Sequence, residues 1–231
     1  MFLPLYDANP LRVIAFQRTT TALITLCILV FLYQNQLAGI DVRVFAMAYG
    51  MVPALLFGHA ELAPELARVP AGATLLTTLF LHGDLPHLLG NILFLWVFGD
   101  NVEDAMGHLR FLAFYLLCGV LAALAHGLVD PYSVKPLIGA SGAVAGVMGA
   151  YVMLHPRVRI LILVVGRLPL YLPAYLILGA WLLFQLVIPI LVKEGHSVAW
   201  WAHAAGFVAG AVLVIPFRRP GVALFDRGVA H

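Results

Sequence analysis

Gly139-Ala140-Ser141-Gly142 opens an apolar segment that continues to about Leu154, and the rest of the chain can be interpreted from it. Two prolines interrupt the chain just upstream, so the sequence predicts that a helix begins near Gly139. Ser141 then lies in the first turn, where backbone N–H groups have no partner within the helix and the positive helix end favours an anion. A hydroxyl beside such donors is half of an acyl-transfer site, and the other half is a base.

Composition places the chain among membrane proteins. It has 231 residues, of which 63% are hydrophobic and 10% are charged, whereas a soluble domain carries about 25% charged residues. The formal net charge of +2 gives no indication of a nucleic-acid partner. Cys27 and Cys118 lie in apolar runs and are predicted to be core residues without a disulfide. The first apolar run lacks a small-residue cleavage site, which indicates a retained span rather than a signal peptide.

Six segments are apolar enough to be candidate spans, since a span needs about 20 mostly apolar residues and fewer where a helix starts below the surface. They are Thr20–Leu37, His87–Met106, Leu109–Val129, Gly139–His155, Tyr171–Val192 and Ala199–Phe217. The predicted fold is therefore all-α, a six-transmembrane-helix bundle forming a single domain over residues 1–231. Ala38–Pro86 is too polar and too broken to span, and is expected to be a long, partly helical loop at the interface. Val158–Val165 is apolar but too short to cross.

The distribution of lysine and arginine predicts the orientation. With six spans, nine of the thirteen basic residues fall on one side, so both termini are expected in the cytoplasm and the long loop outside. We expect a multi-pass protein of the bacterial cell (inner) membrane. Helices two, four and six then all start at the outer side. His87, Asn91, Ser141 and His203 consequently lie within about 8 Å of the outer helix ends, at one shared depth.

Ser141 and His203 suit a nucleophile and its general base, because a serine hydroxyl is a weak nucleophile until a neighbour takes its proton. No buried carboxylate is evident to orient His203, so the sequence predicts a dyad rather than a triad. The alternative for a lone serine in an apolar helix is packing, which is its commoner role. A histidine inside a span favours function, because ionisable groups in a membrane are expensive.

Small residues should allow the two helices that carry Ser141 and His203 to approach closely. They recur as Gly142, Gly146 and Gly149 on one helix and as Ala202, Gly206 and Gly210 on the other. Small-xxx-small spacing permits backbone contact between membrane helices. By itself this pattern indicates only packing, but here the packing would bring the two polar residues together.

His87 and Asn91 are four residues apart and so share one helix face. Their donors could hold an oxyanion beside the backbone N–H of Ser141, although a polar pair that caps the helix or bonds a loop is an equally good interpretation. A metal site is a weaker hypothesis. The nine histidines include no His-Glu-x-x-His motif and no carboxylate lies on the His87 face, so neither a metal nor another cofactor is expected.

These motifs together resemble those of the rhomboid family of intramembrane serine proteases. They are Ser141 in Gly-x-Ser-Gly, His203 in Ala-His-x-x-Gly, His87-x-x-x-Asn91 and Gly99-x-x-x-Glu103-x-x-x-Gly107. The resemblance covers about residues 47–217. It implies a six-helix fold, with Ser141 as nucleophile, His203 as base, and His87, Asn91 and the Ser141 backbone as the oxyanion hole. The implied reaction is cleavage of single-span membrane proteins within or beside their transmembrane segment, in the lipid bilayer.

The chain departs from the family pattern beside the histidine. Some members carry a tyrosine that stacks on the histidine four residues after the nucleophile, where this chain has Ala145, so another group must orient His203 or its orientation is looser. Trp181 and Phe184 resemble bulky residues at a lateral substrate gate, with lipid-facing or packing aromatics as the alternative.

Two other functions compete with proteolysis. One is a catalytically silent relative that binds membrane proteins and directs their trafficking or turnover. The other is a six-helix transporter. Internal repeats would favour a transporter, and the sequence shows none. The substrate and the oligomeric state are not indicated by the sequence.

Overall fold

The computed structural model describes residues 2–36, 42–164, 168–191 and 200–226, and most of them are helical. Its α-helices are α1 (Arg18–Gln36), α2 (Val42–Tyr49), α3 (Pro53–Leu56), α4 (Thr74–Thr77), α5 (Leu85–Met106), α6 (His108–Val129), α7 (Ser141–Leu154), α8 (Ala174–Leu191) and α9 (Trp200–Phe217). Short 3-10 turns at Ala71–Ala73 and Thr78–Phe80 flank α4. Three predicted helix ends, Leu37, Val192 and Ala199, lie outside the described residues.

A helix occupies most of each of the six predicted spans. By length and composition, two of them, α6 and α9, are apolar enough to cross a membrane. The others are shorter or more polar: α7 has only 14 residues, or about 21 Å, and α5 carries three carboxylates near its C-terminal end. The six-span count therefore stays a prediction. The long loop contains short helices, as expected.

The predicted helical character is confirmed, but the chain is not purely α, because three strands form an antiparallel sheet in the order β1-β2-β3. They are β1 (Phe2–Asp7), β2 (Arg159–Val164) and β3 (Leu168–Pro173). In β2 the buried residues Ile160 and Ile162 alternate with more exposed ones, the period of a half-buried strand. Tyr171 was predicted to start the fifth helix, but it lies in β3, and α8 begins directly after Pro173.

Helices α7 and α9 touch through their backbones. A Cβ atom added to Gly206 would lie 2.1 Å from the carbonyl oxygen of Gly142, and one added to Gly210 would lie 1.8 Å from that of Gly146. From the first contact to the second, the chain advances by four residues in the same direction on both helices, so the two helices run parallel. The predicted close approach is confirmed, and it leaves no space for any side chain at these positions.

Glu103 anchors α1 to the far end of α5. Its fully buried carboxylate accepts hydrogen bonds from the backbone N–H groups of Thr19 and Thr20, at 2.8 Å each, and from the Thr20 hydroxyl at 2.7 Å. The two backbone N–H groups belong to the first turn of α1, where such donors have no partner within the helix. Gly99 faces Thr20 closely, and Gly107 ends α5 with φ +85. The glycines of this motif thus provide close approach and a tight turn around one buried acceptor.

The long first loop is bonded to the segment that leads into α7. Met51 and Leu137 exchange two backbone hydrogen bonds, of 3.1 and 2.8 Å. The Thr78 carbonyl accepts a bond of 3.0 Å from the N–H of Gly139, and the Thr78 hydroxyl donates to the carbonyl of Leu137. The loop therefore fixes the position of the turn before Ser141.

The amino-terminal segment packs against the opposite end of the bundle from Ser141. Asp104 accepts bonds from the backbone N–H groups of Arg12, Val13 and Ile14. Asp7, at the end of β1, accepts a bond of 2.5 Å from the Tyr151 hydroxyl near the end of α7. Burial raises the pKa of Asp7 from 3.8 to about 7, because a charged carboxylate loses hydration there.

Gly206→Ala should destabilise the protein, because the new methyl group would meet backbone atoms of Gly142 that cannot move aside alone. Overpacking of this kind costs about 1–3 kcal/mol. The matched control is Gly179→Ala on α8, where an added Cβ meets no atom within 4 Å. The measurement is the thermal unfolding midpoint of both variants in one detergent. Equal midpoints for Gly206→Ala and the wild type would contradict the backbone contact.

Asp7 should make folding stability depend on pH. The raised pKa means that the folded protein keeps a proton that the unfolded chain loses above about pH 4, so stability falls as the pH rises from about 4 to about 7. The unfolding midpoint should be higher at pH 5.5 than at pH 8, and Asp7→Asn should shrink the difference. Asp130→Asn, at an exposed position, is the control. An unchanged difference in Asp7→Asn would assign the dependence to another group.

Candidate active site

Ser141 is the first residue of α7, and a glycine turn places it there. Gly139 has φ +123, a conformation that residues with a side chain rarely adopt, so the helix begins two residues later than the sequence predicted. The backbone N–H groups of the first helical turn have no acceptor within the helix. The Ser141 hydroxyl thus lies beside donors that point away from the helix end.

The structure brings Ser141 and His203 into contact. His203 is the fourth residue of α9, and its Nε2 lies 2.8 Å from the Ser141 Oγ. This distance is that of a normal hydrogen bond. The two residues are 62 positions apart in sequence, and the contacts of Gly206 with Gly142 and of Gly210 with Gly146 hold their helices together.

The other ring nitrogen of His203 meets a residue that the sequence argument missed. The Gln185 Oε1 lies 3.1 Å from the His203 Nδ1, and the Gln185 side chain is buried. The sequence does contain an indication of this role. Gln185 is a glutamine in an otherwise apolar segment, and it lies four residues after Trp181 and so on the same helix face. A carboxylate is the usual partner of a catalytic histidine, and an amide in this place is not indicated by that pattern.

Trp181 lies against the same histidine. Its ring centroid is 5.9 Å from that of His203 and 6.3 Å from that of Phe207. Phe184, by contrast, is 52% exposed and contacts Trp200 edge-on at 5.8 Å. The two candidate gate residues therefore differ in position: Trp181 packs beside the catalytic histidine candidate, and Phe184 faces outward.

His87 approaches the serine from α5. A Cβ atom added to Gly139 would lie 2.7 Å from the His87 Nε2 and 3.7 Å from the Ser141 Oγ, so both groups border one point beside Gly139. The Asp84 carboxylate caps α5 by accepting a bond of 2.7 Å from the His87 N–H. The ring centroid of His82 lies 5.2 Å from that of His87. Burial lowers the pKa of His82 to about 4, so this neighbour of His87 is uncharged at neutral pH.

Asn91 is buried one turn further along α5. Its Nδ2 donates a bond of 3.1 Å to the His87 carbonyl of its own helix. A primary amide has two N–H donors, and this bond uses one of them. The amide is thereby anchored while it keeps a second donor for another acceptor.

Two cavities lie on the side of the molecule where α7 begins. One, of about 10 Å³, adjoins Ser141 and is lined mainly by small residues, among them Gly119, Ala122, Gly142 and Ala202. That is close to the space needed by one water molecule. A larger cavity, of about 280 Å³, lies within the first loop between Met47 and Thr74 and has none of the predicted site residues in its wall.

The donor set suits acyl transfer. A hydroxyl, an imidazole acceptor at hydrogen-bond distance and nearby N–H donors are the parts that a serine nucleophile requires. Within the part of the chain that the structure describes, no group of three or more His, Cys, Asp or Glu residues is arranged to hold a metal ion.

Comparison with known proteins places the chain beside one family. A family model of the Rhomboid domain matches residues 71–220, so the match begins later than the resemblance read from the sequence. The chain is 44% identical over 85 residues to Rhomboid protease GluP of Bacillus subtilis (strain 168), which covers 36% of this chain and 16% of that protein.

Two further relatives come from eukaryotes. RHOMBOID-like protein 5 of Arabidopsis thaliana is 28% identical over 141 residues, which is 61% of this chain and 44% of the relative. The mitochondrial Presenilin-associated rhomboid-like protein of Homo sapiens is 32% identical over 99 residues, which is 42% of this chain and 26% of the relative. In all three pairs the alignment spans less than half of the relative's length.

Proposed function

The chain belongs to the rhomboid family, whose members are integral membrane proteins, and we propose that it is an intramembrane serine endopeptidase. In this proposal Ser141 is the nucleophile and His203 the general base. The observation that carries the proposal is the 2.8 Å contact between the Ser141 Oγ and the His203 Nε2. The substrates would be single-span membrane proteins, cleaved within or beside their membrane span, and no cofactor takes part.

Cleavage begins with an exposed peptide carbonyl. A regular helix hides its carbonyls in hydrogen bonds, so the substrate helix must unwind locally before attack. The Ser141 Oγ then forms a bond to the carbonyl carbon while His203 takes the hydroxyl proton at Nε2. As the tetrahedral intermediate collapses, His203 passes that proton to the leaving amine, and the acyl group stays on Ser141.

The developing oxyanion requires donors that are already in place. The free N–H groups at the start of α7, the second amide proton of Asn91 and the ring of His87 are the candidates. The position of His87 beside Gly139 supports this assignment. Water must then hydrolyse the acyl-enzyme with His203 again as base, and the small cavity beside Ser141 offers a place for it.

The proposal includes a setting for the reaction. Six spans, both termini in the cytoplasm and a bacterial inner membrane would open the site to the outer side, where α5, α7 and α9 begin. A single domain over residues 1–231 is part of the same proposal, and Trp181 and Phe184 are proposed to border the lateral entry of substrate. A silent relative that binds membrane proteins remains the alternative, and reaction of Ser141 with a serine-directed probe separates the two.

Ser141→Ala and His203→Ala should each abolish proteolysis while leaving folded protein in the membrane, because neither change leaves a large cavity or an unpaired charge. The measurement is cleavage of single-span model proteins in proteoliposomes, together with labelling by a fluorophosphonate.

Ser133→Ala and His59→Ala are the matched controls, since Ser133 lies in the loop before α7 and His59 is exposed in the first loop. Both should keep cleavage and labelling. Cleavage by purified Ser141→Ala protein would refute the nucleophile assignment. Folded wild-type protein that neither cleaves nor reacts with the probe would favour the silent relative.

Asn91→Ala should lower turnover without abolishing it. Loss of one oxyanion donor costs about 10²–10³ in rate, and the backbone donors and His87 remain. His87→Ala should behave similarly. The loss should appear in kcat rather than KM, because the oxyanion exists only near the transition state.

Asn35→Ala is a close control for Asn91→Ala. Asn35 is exposed on α1 and makes the same type of bond, from its Nδ2 to the backbone carbonyl four residues earlier, at 2.7 Å. Steady-state kinetics on one transmembrane substrate in matched detergent is the measurement. Unchanged kcat in stably folded Asn91→Ala protein would make Asn91 a packing residue and locate the oxyanion donors elsewhere.

A further inference from the structure

We propose that Gln185 is a positioning residue that holds His203 in the tautomer with its proton on Nδ1, through a hydrogen bond to the Gln185 Oε1. The kinetic consequence of this bond rests on the proposed function, but the bond and the tautomer do not. The proposal supplies an orienting group for a histidine that has no carboxylate partner in the sequence pattern and no tyrosine at position 145.

The geometry defines the proton positions. The Gln185 Oε1 lies 3.1 Å from the His203 Nδ1, and the Ser141 Oγ lies 2.8 Å from the His203 Nε2. A neutral imidazole has one donor and one acceptor nitrogen. An amide oxygen can only accept, so Nδ1 carries the proton and Nε2 is left free to accept from the serine hydroxyl. That is the tautomer that a general base for Ser141 needs.

The reversed amide would give the opposite chemistry. If the amide nitrogen faced Nδ1, that ring nitrogen would have to accept, and the proton would sit on Nε2. Nε2 would then donate to the Ser141 Oγ and could not take its proton. The two amide orientations therefore predict two distinguishable tautomers, one able to activate the serine and one unable.

The position of Gln185 suits a fixed orienting group. Its side chain is 6% exposed, and it lies one helical turn from Trp181 on the same face of α8. Trp181 packs against the ring of His203, with a centroid distance of 5.9 Å, while Gln185 bonds the ring edge. A neighbouring aromatic ring, tilted by 38° to the imidazole, and a hydrogen bond to Nδ1 together restrict rotation about the side-chain bonds of His203.

The structure also explains why no acid is needed here. Among the described residues, the group that meets His203 on the far side of the ring from Ser141 is the amide of Gln185. An amide orients the ring without bringing a second ionisable group beside it, which is the less costly choice in an apolar helix.

The kinetic test compares Gln185→Met, which keeps the side-chain length but removes the acceptor, with Gln185→Glu, which keeps an acceptor oxygen at the same reach. Gln185→Met should lower kcat about 10–10²-fold with KM unchanged, because the ring loses its preferred tautomer and orientation. Gln185→Glu should recover most of this loss. Equal kcat for Gln185→Met and wild type, or an equal loss in both variants, would overturn the positioning role.

A spectroscopic test does not depend on any substrate. In protein labelled with ¹⁵N-histidine, the His203 signals are those that disappear in His203→Ala. They should show a protonated Nδ1 and an unprotonated Nε2 in wild type, and this pattern should be lost or mixed in Gln185→Met. A proton on Nε2 in the wild type, or an unchanged pattern in Gln185→Met, would overturn the proposal. A proton on Nε2 would be detected in wild-type protein alone. The proposal can therefore be refuted even if Gln185→Met does not fold.

Gln34→Met is the matched control for loss of a buried amide. Gln34 is buried on α1 and donates to the backbone carbonyl of His82. Gln34→Met should alter the unfolding midpoint but leave the His203 signals as in wild type. If it changes the His203 signals in the same way as Gln185→Met, then loss of any buried amide has this effect and Gln185 has no specific positioning role. Cleavage that persists in Ser141→Ala protein would refute the proposed function, whereas the His203 tautomer would still test Gln185.

Discussion

Direct backbone contact between α7 and α9 holds together the two helices that carry Ser141 and His203. Lipid chains are as apolar as leucine side chains, so membrane helices gain little from hydrophobic burial against each other and associate through close packing and hydrogen bonds. Here Gly206 and Gly210 approach the carbonyls of Gly142 and Gly146 so closely that no Cβ atom fits. This closeness allows a serine on one helix to reach a histidine on the other with short side chains.

The two ends of α7 are fixed by different interactions. At its start, backbone bonds from Met51 and Thr78 hold the turn that precedes Ser141. At its end, Tyr151 donates to Asp7, which ties the helix to the amino-terminal strand. A helix of 14 residues is shorter than a typical span. Polar contacts at both of its ends fix the position of the Ser141 hydroxyl within the protein.

The sequence predicted the parts of this structure that follow from local pattern. Apolar segments indicated six of the helices, α1 and α5 to α9, and small-residue spacing indicated the contact between α7 and α9. It could not indicate the sheet, because β1 pairs with a strand more than 150 residues later and the apolar run of β2 is ambiguous between helix and strand. Nor could it indicate Gln185, since the choice among polar residues of α8 depends on helix rotation, which only the packed structure determines.

A glutamine beside His203 also follows from the cost of charge in this environment. In a soluble serine protease, a carboxylate both orients the histidine and stabilises the imidazolium that forms during attack. A carboxylate on α8 would have to be buried away from water, where an unpaired charge is so costly that the group takes up a proton instead. Once protonated, it would orient the ring but add no negative charge. An amide orients the ring equally well at any pH. In the proposed mechanism, the imidazolium would then be stabilised mainly by its neighbours in the transition state, the oxyanion and the Trp181 ring. Catalysis in such a site depends on how well its dipoles are already aligned.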